Sequence, residues 1–189
     1  MSEMDDARLL ERARRGDEDA FSTLFARHQR SLFRYAVYMC GPDAGDDVVQ
    51  DTFLAVLRQT QRHDPTVGSV GGYLFGIARH MVLKRLAAKG AEASFEVDGR
   101  EIETAEAIDE VSVFEALSRT ETVEAVRQAV RSLPAPYREV VVLCELHDIN
   151  YSEAAGIINC PVGTVRSRLH RAKALLMIKL ATSAIRQQV

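Results

Sequence analysis

The stretch YSEAAGIINCPVGTVRSRLHRAKALL, residues 151–176, reads as two helices joined by one short turn. Ser152 is expected to cap the first, Glu153 to Ile158, because a serine hydroxyl can accept a hydrogen bond from an orphaned backbone N–H. Asn159-Cys160-Pro161-Val162 then turns the chain, and Gly163 and Thr164 open a long final helix through about Ala184. Within it Val165, Leu169, Ala172 and Leu176 recur at the spacing of a buried stripe. The other positions hold Thr164, Arg166, Ser167, Arg168, His170, Arg171 and Lys173, and no acidic residue follows Glu153. This size and punctuation is that of a helix-turn-helix, whose second helix enters the major groove by its N-terminal end. Arginine can bridge guanine N7 and O6, while lysine, serine and threonine suit phosphate oxygens. Cations that merely complement the helix dipole would sit in the last turn, whereas these begin in the first.

Upstream of this pair the chain is helical wherever it is patterned. Pro136 sits at a helix start, so Tyr137 to Leu146 is expected to be a helix with Val140, Val141 and Leu143 inside and Arg138 outside. Another runs from near Thr122 to Ser132 and stops before Leu133-Pro134. In the N-terminal part Ala20, Phe21, Leu24, Phe25 and then Leu32, Phe33, Ala36, Val37 follow helical steps, as one block ended by Gly41-Pro42-Asp43. A helix from near Asp43 to about Gln59 puts Val48, Val49, Phe53, Val56 and Leu57 on one face. HDPTVGSVGG, 63–72, reads as loop, and Tyr73 to about Lys89 as a helix with Leu74, Ile77, Ala78, Met81, Val82 and Leu86 buried. No strand-like alternation stands out, so the expected fold is all-α. It comprises two small helical domains, 1–91 and 122–189, joined by an acidic flexible linker at 92–121, in which Val111–Leu117 is apolar enough for a short helix or a docking segment.

The charge distribution fits two surfaces with different partners. Residues 1–91 carry +1, 92–124 carry −9 and 125–189 carry +5, which together give the net −3. Cys40, Cys144 and Cys160 have unrelated spacings, and the five histidines are scattered, so the cysteines read as small core residues and no metal site is expected. No apolar run approaches the ~20 residues of a membrane span, and the charged first 20 residues are not an export signal, so a cytoplasmic protein is expected. Nucleotide-binding glycine loops and nucleophile motifs are missing, which excludes an enzyme reading, a cofactor and a small-molecule substrate.

Leu133-Pro134, YREVVVL (137–143) and residues 151–176 closely resemble the promoter-reading C-terminal domain of the extracytoplasmic-function (ECF) subfamily of sigma-70 RNA polymerase sigma factors. DDVVQDTFLAVLR (46–58) resembles that family's polymerase-binding helix, and YLFGIARHMVLKRL (73–86) its promoter-melting helix. The resemblance implies an initiation factor that directs core RNA polymerase to promoters and catalyses nothing itself. It implies polymerase docking through Asp46, Asp47, Gln50, Asp51 and Phe53, where acids and an amide suit a basic surface. The loop 64–72, with Gly68, Gly71 and Gly72, lies where family members hold a flipped minus-ten base. Tyr73, Arg79, His80, Lys84 and Arg85 then supply stacking and charge for melted DNA. Tyr73 stands where tryptophan is frequent, His80 where asparagine is, and Lys84 where aspartate is, which bears on base preference. The C-terminal domain would read duplex DNA at the minus-thirty-five element. The acidic linker resembles a connector that family members thread through the polymerase's basic channels. An anti-sigma factor is the implied further partner. The alternative is a sigma-like decoy that binds an anti-sigma factor instead of promoter DNA.

Overall fold

The computed structural model describes residues 5–58, 63, 68–88 and 119–187, all of it helix and connecting turns. The expectations placed on 92–118 and on 64–67 lie outside these residues. The helices are α1 (Asp6–Arg14), α2 (Glu18–Cys40), α3 (Gly45–Arg58), α4 (Val70–Ala88), α5 (Arg119–Arg131), α6 (Ala135–Val141), α7 (Tyr151–Ile158) and α8 (Val162–Gln187). No strand occurs among the described residues.

The N-terminal block is two helices rather than one. Gly16, at φ 91°, turns the chain where a Cβ would be strained, and Asp17 caps α2 by accepting from the Ala20 N–H at 3.0 Å. Gly41, at φ 95°, ends α2, and Pro42 opens a single 3₁₀ turn, Pro42–Ala44, that leads into α3. Leu24, Leu32, Tyr35, Val48, Phe53, Val56, Leu74 and Val82 interlock where α2, α3 and α4 meet. Phe33 and Leu57, expected inside, are instead 37% exposed each, because they fall at the margins of their stripes. Helix α4 starts three residues before the expected Tyr73. Ser69 caps it, its hydroxyl accepting from the Gly72 N–H at 2.9 Å, so Gly71 and Gly72 belong to its first turn.

In the second group Val130, Leu133, Tyr137, Val140, Leu143, Ala154, Ile158, Val165, Leu169 and Ala172 form the core. Helix α5 begins at Arg119, three residues earlier than expected, since nothing in Arg119-Thr120-Glu121 opposes a helix. The α-helix expected through Leu146 ends at Val141 and widens to a π-type turn over Val142–Leu146. Arg138, expected outside, is half-buried, and its guanidinium donates to the Arg131 carbonyl at 2.8 Å. Asn159 adopts the left-handed conformation, φ 59°, that closes α7. The Cys160 N–H then reaches the Ala155 carbonyl at 3.0 Å, the bond that terminates such helices. None of the three cysteines is in a disulfide; all pack at the core margin, and burial pushes the Cys144 thiol up to about 11.

Asn150, not Ser152, caps α7: its side-chain oxygen accepts from the Glu153 N–H at 3.0 Å, while Ser152 is exposed in the first turn. Replacing Asn150 by alanine is therefore expected to cost about 1 kcal/mol. Ser152→Ala should change stability by roughly 0.5 kcal/mol or less. Urea unfolding of the two variants, read by circular dichroism, checks the assignment, and equal losses would contradict it.

The two helical groups pack on each other. An aromatic column runs from Tyr35 of α2 to Phe75 of α4, 5.5 Å between ring centres, and on to His147 after α6, 5.2 Å further. Arg34 donates to the Leu146 carbonyl at 3.4 Å, and the Arg131 guanidinium lies 5.9 Å from the Tyr38 ring centre. Burial pushes the His147 imidazole down to about 4, the Arg34 cation adds to this, and Asp148 partly opposes it. A neutral ring is thus favoured in the packed state. The packing is expected to be fully present above about pH 6.5, the ordinary histidine value, and to weaken as pH falls toward 4. Urea midpoints of the parent and of His147→Gln, measured across that window, should converge in the difference they show at neutral pH. A parallel pH dependence in both would contradict the role of this ring.

Candidate functional site

Helix α8 presents the basic side of the helix-turn-helix. Val165, Leu169 and Ala172 are buried against the rest of the second group, which turns Ser167 and His170 outward. Arg166 is exposed on one flank, and Thr164, Arg168 and Arg171, each partly covered, lie on the other. The Ser167 hydroxyl donates to the Thr164 carbonyl at 3.1 Å. Lys173 is not a bare cation: its Nζ sits 3.0 Å from Glu145 Oε1, which holds the ammonium above its usual pKa. The expected set is therefore brought onto one helix, with Arg166, Ser167 and His170 the most accessible.

Helix α3 carries Asp46, Asp47, Gln50 and Asp51 on its exposed side. Phe53 does not join them. It is 2% exposed, with its ring 4.9 Å from Phe25 and 5.8 Å from Phe21, because it lies four residues after Val49 and three before Val56 on the same buried stripe of α3. Its place as a docking residue is corrected to the core. The apolar part of the exposed surface comes from residues the sequence reading missed: Leu54 is 47% exposed, and Phe33 lines a shallow cavity of 260 Å³ with Phe25, Gln29, Arg30, Asp46 and Gln50. Phe33 and Leu54 look like ordinary helical apolar positions in the sequence, so only their exposure marks them.

Helix α4 joins this face to the other group. Arg85 reaches back to Asp47 at 3.2 Å and to Asp51 at 3.1 Å, and Asp51 foremost raises its pKa. A residue expected to touch DNA is thus paired with two expected to touch polymerase. Lys84 and His80 are exposed. The Tyr73 hydroxyl accepts from Arg14 at 2.9 Å, and its ring meets His63 edge-on at 5.4 Å. Tyr73 and His80 line a 580 Å³ cleft between α4 and α7, closed on the far side by Glu153, Gly156 and Ile157.

Arg79 faces away from solvent. Its Nε donates at 3.0 Å to Oε1 of Glu139, a carboxylate only 1% exposed, and the same oxygen accepts from the Tyr35 hydroxyl at 2.8 Å. Burial, followed by the Glu139 charge, drives the Tyr35 pKa well above its usual value, so the phenol stays a donor. Glu139 was not singled out in the sequence, although a lone acid within the run YREVVVL was the available signal. Among the described residues no group of three or more acidic, histidine or cysteine side chains could hold a metal, and no helix is long and apolar enough to cross a membrane.

Residues 24–92 match the family model described as Sigma-70 region 2, and residues 123–176 match Sigma-70, region 4. The chain is 35% identical over 181 residues to the ECF RNA polymerase sigma-E factor of Escherichia coli, covering 92% of this chain and 93% of that one. It is 28% identical over 186 residues to the RNA polymerase sigma-H factor of Pseudomonas aeruginosa, covering 92% of each. Among solved structures it is similar to CnrH in complex with the cytosolic domain of CnrY, with TM-score 0.66, 26% identity and coverage of 94% of this chain and 97% of that one. It is also similar to the sigma factor RpoE bound to the anti-sigma factor NepR from Bartonella quintana, with TM-score 0.63, 25% identity and coverage of 85% and 96%. With two sigma-70 regions matched in order and an ECF relative aligned along almost its full length, the chain belongs to the ECF subfamily of sigma-70 RNA polymerase sigma factors.

Proposed function

We propose a division of labour on this initiation factor, which is no enzyme, between three surfaces. The acidic face of α3, Asp46, Asp47, Gln50 and Asp51 with the apolar Phe33 and Leu54 beside it, docks core RNA polymerase. An apolar patch rimmed by charge is the composition of a protein-binding surface, and its acids suit a basic partner. Helix α8 reads minus-thirty-five duplex DNA through Arg166, Ser167, His170 and Arg171, with Thr164 and Arg168 nearer the phosphates. Helix α4 and the segment before it take the melted minus-ten strand, with Tyr73 and His80 for stacking and Lys84 and Arg85 for charge, while Arg79, expected beside them, is engaged by Glu139. Domains at 1–91 and 122–189, with the acidic 92–121 stretch between them, would place these surfaces on separable units.

The observation that carries this reading is the separation of sign: exposed acids on α3, and a final helix whose exposed polar side holds cations and no acid. The protein works in the cytoplasm with core polymerase, promoter DNA and an anti-sigma factor. CnrH and RpoE, in the two structures described above, are each in complex with a second protein, and RpoE's partner is an anti-sigma factor, which supports the last. Run-off transcription with purified core polymerase on a genomic promoter library tests the reading. Specific transcripts sharing a two-box upstream motif are expected. Polymerase binding without transcripts would favour the decoy alternative.

A further inference from the structure

We propose that Arg14, in the last turn of α1, is a positioning residue for strand capture: it holds the Tyr73 ring in its stacking orientation before melted DNA arrives. This role rests on the reading of Tyr73 in α4 proposed above.

Three arginines cluster at the end of α1, and they are used differently. Arg12 pairs with Asp17 and Arg15 with Glu11, each within five positions along the chain. Arg14 reaches across the fold, to residues 42 and 59 positions away. Leu9, Leu10 and Ala13 bury the inner side of α1, which leaves Arg14 half-buried at the edge of that side. Its Nε donates to the Val56 carbonyl at 3.1 Å. Val56 lies in the last turn of α3, where carbonyls lack an intrahelical donor, so this half of the guanidinium answers an acceptor that α3 itself leaves open. The other half is directed at α4. A terminal nitrogen donates to the Tyr73 hydroxyl at 2.9 Å, and the guanidinium carbon lies 5.8 Å from the ring centre, within cation–π range.

Because both bonds come from one planar, rigid group, the place of the Tyr73 ring is tied to the end of α3. His63 meets the same ring edge-on at 5.4 Å. Among the described residues Arg14 does not line the cleft that Tyr73 shares with His80, so it acts on that cleft through Tyr73. A tyrosine left to change rotamer would have to be immobilised by the incoming base, and that ordering would be subtracted from the stacking. Holding the ring in advance removes the cost. The hydroxyl is what makes the hold possible: tyrosine offers the guanidinium an oxygen acceptor, whereas tryptophan, frequent at this place in the family, has only an N–H donor. Here a ring smaller than indole is paired with an arginine from another helix that keeps it still.

The test uses holoenzyme assembled from core polymerase and the full chain, with Arg14→Met, Tyr73→Phe, the two combined, and Tyr73→Ala. Fluorescence anisotropy reads affinity for two probes built on a promoter recovered by run-off transcription. One is a fork with a single-stranded minus-ten strand, and the other is the minus-thirty-five duplex alone. Arg14→Met and Tyr73→Phe are each expected to weaken fork binding about two- to tenfold, the range for ordering one side chain. The combined variant should fall no further, and duplex binding should not change. Losses that add in the combined variant would overturn the proposal, because Arg14 would then act without Tyr73. So would a shallower salt dependence in Arg14→Met that persists beside Tyr73→Phe, the mark of a direct phosphate contact. Equal losses on both probes with a lowered urea midpoint would reduce Arg14 to a structural staple and overturn it as well. Tyr73→Phe leaves the Val56 contact in place, so it carries the test if Arg14→Met does not fold, and unchanged fork binding would then overturn the role. Tyr73→Ala separates the two levels. A loss of about tenfold or more on the fork supports the stacking reading whatever Arg14 does. No loss, or no promoter recovered at all, would sink that reading and the role of Arg14 with it.

Discussion

Phe53→Ala is expected to lower folding stability by about 3–5 kcal/mol, the range for truncating a fully packed aromatic. The ring is 2% exposed and sits between Phe21 and Phe25, so its removal leaves a cavity at the junction of α2 and α3 with little nearby to refill it. Asp47→Ala and Gln50→Ala, about two turns and one turn earlier on the exposed side, should by comparison stay within roughly 0.5 kcal/mol of the parent. Urea unfolding separates the two classes, and core-polymerase binding by the three variants completes the comparison. A Phe53→Ala protein of unchanged stability with weakened polymerase binding would return the residue to the docking surface.

Arg166→Ala is expected to cost about 1–3 kcal/mol of promoter binding if the guanidinium bridges a guanine edge, and to relax the preference at one base pair only. Arg166 is chosen over Arg168 because the fold turns it into solvent near the start of α8, whereas Arg168 lies toward the covered side. Binding of holoenzyme to minus-thirty-five duplexes with each base pair varied in turn decides the matter. An equal loss on every sequence would make Arg166 a phosphate contact. No loss on any sequence would remove it from the interface. Lys173→Ala should have the smaller effect, since its ammonium is already engaged by Glu145.

Much of the architecture was legible in residue order because it depends on local chemistry. Gly41-Pro42 cannot continue a helix, Pro136 sits at the start of one, and Val165, Leu169 and Ala172 recur at the one spacing that lines a helix side. The misread points are those where two local signals competed. Asn150 and Ser152 are residue types that cap equally well two positions apart, and Ser69 lies in a glycine-rich stretch that reads as loop. Phe33 and Leu57 differ from the periodic reading because a helical stripe has margins, and which marginal residue is covered depends on the helix packed against it; Phe53 lies on the stripe itself, and only the family resemblance put it on the docking surface.

By itself, then, the sequence determined an all-helical chain, the helix-turn-helix with its basic final helix and the acidic face on α3, because periodicity, punctuation and charge sign are properties of neighbours along the chain, while its motifs carried the resemblance to the ECF sigma factors. Only the tertiary structure decided that Glu139 accepts from both Arg79 and Tyr35, that Arg85 is shared between Asp47 and Asp51, and that Glu153 meets the start of α4. These pairs join residues 34 to 104 positions apart. No spacing rule reaches across such separations, and the partner of a buried charge is settled by which helices pack together.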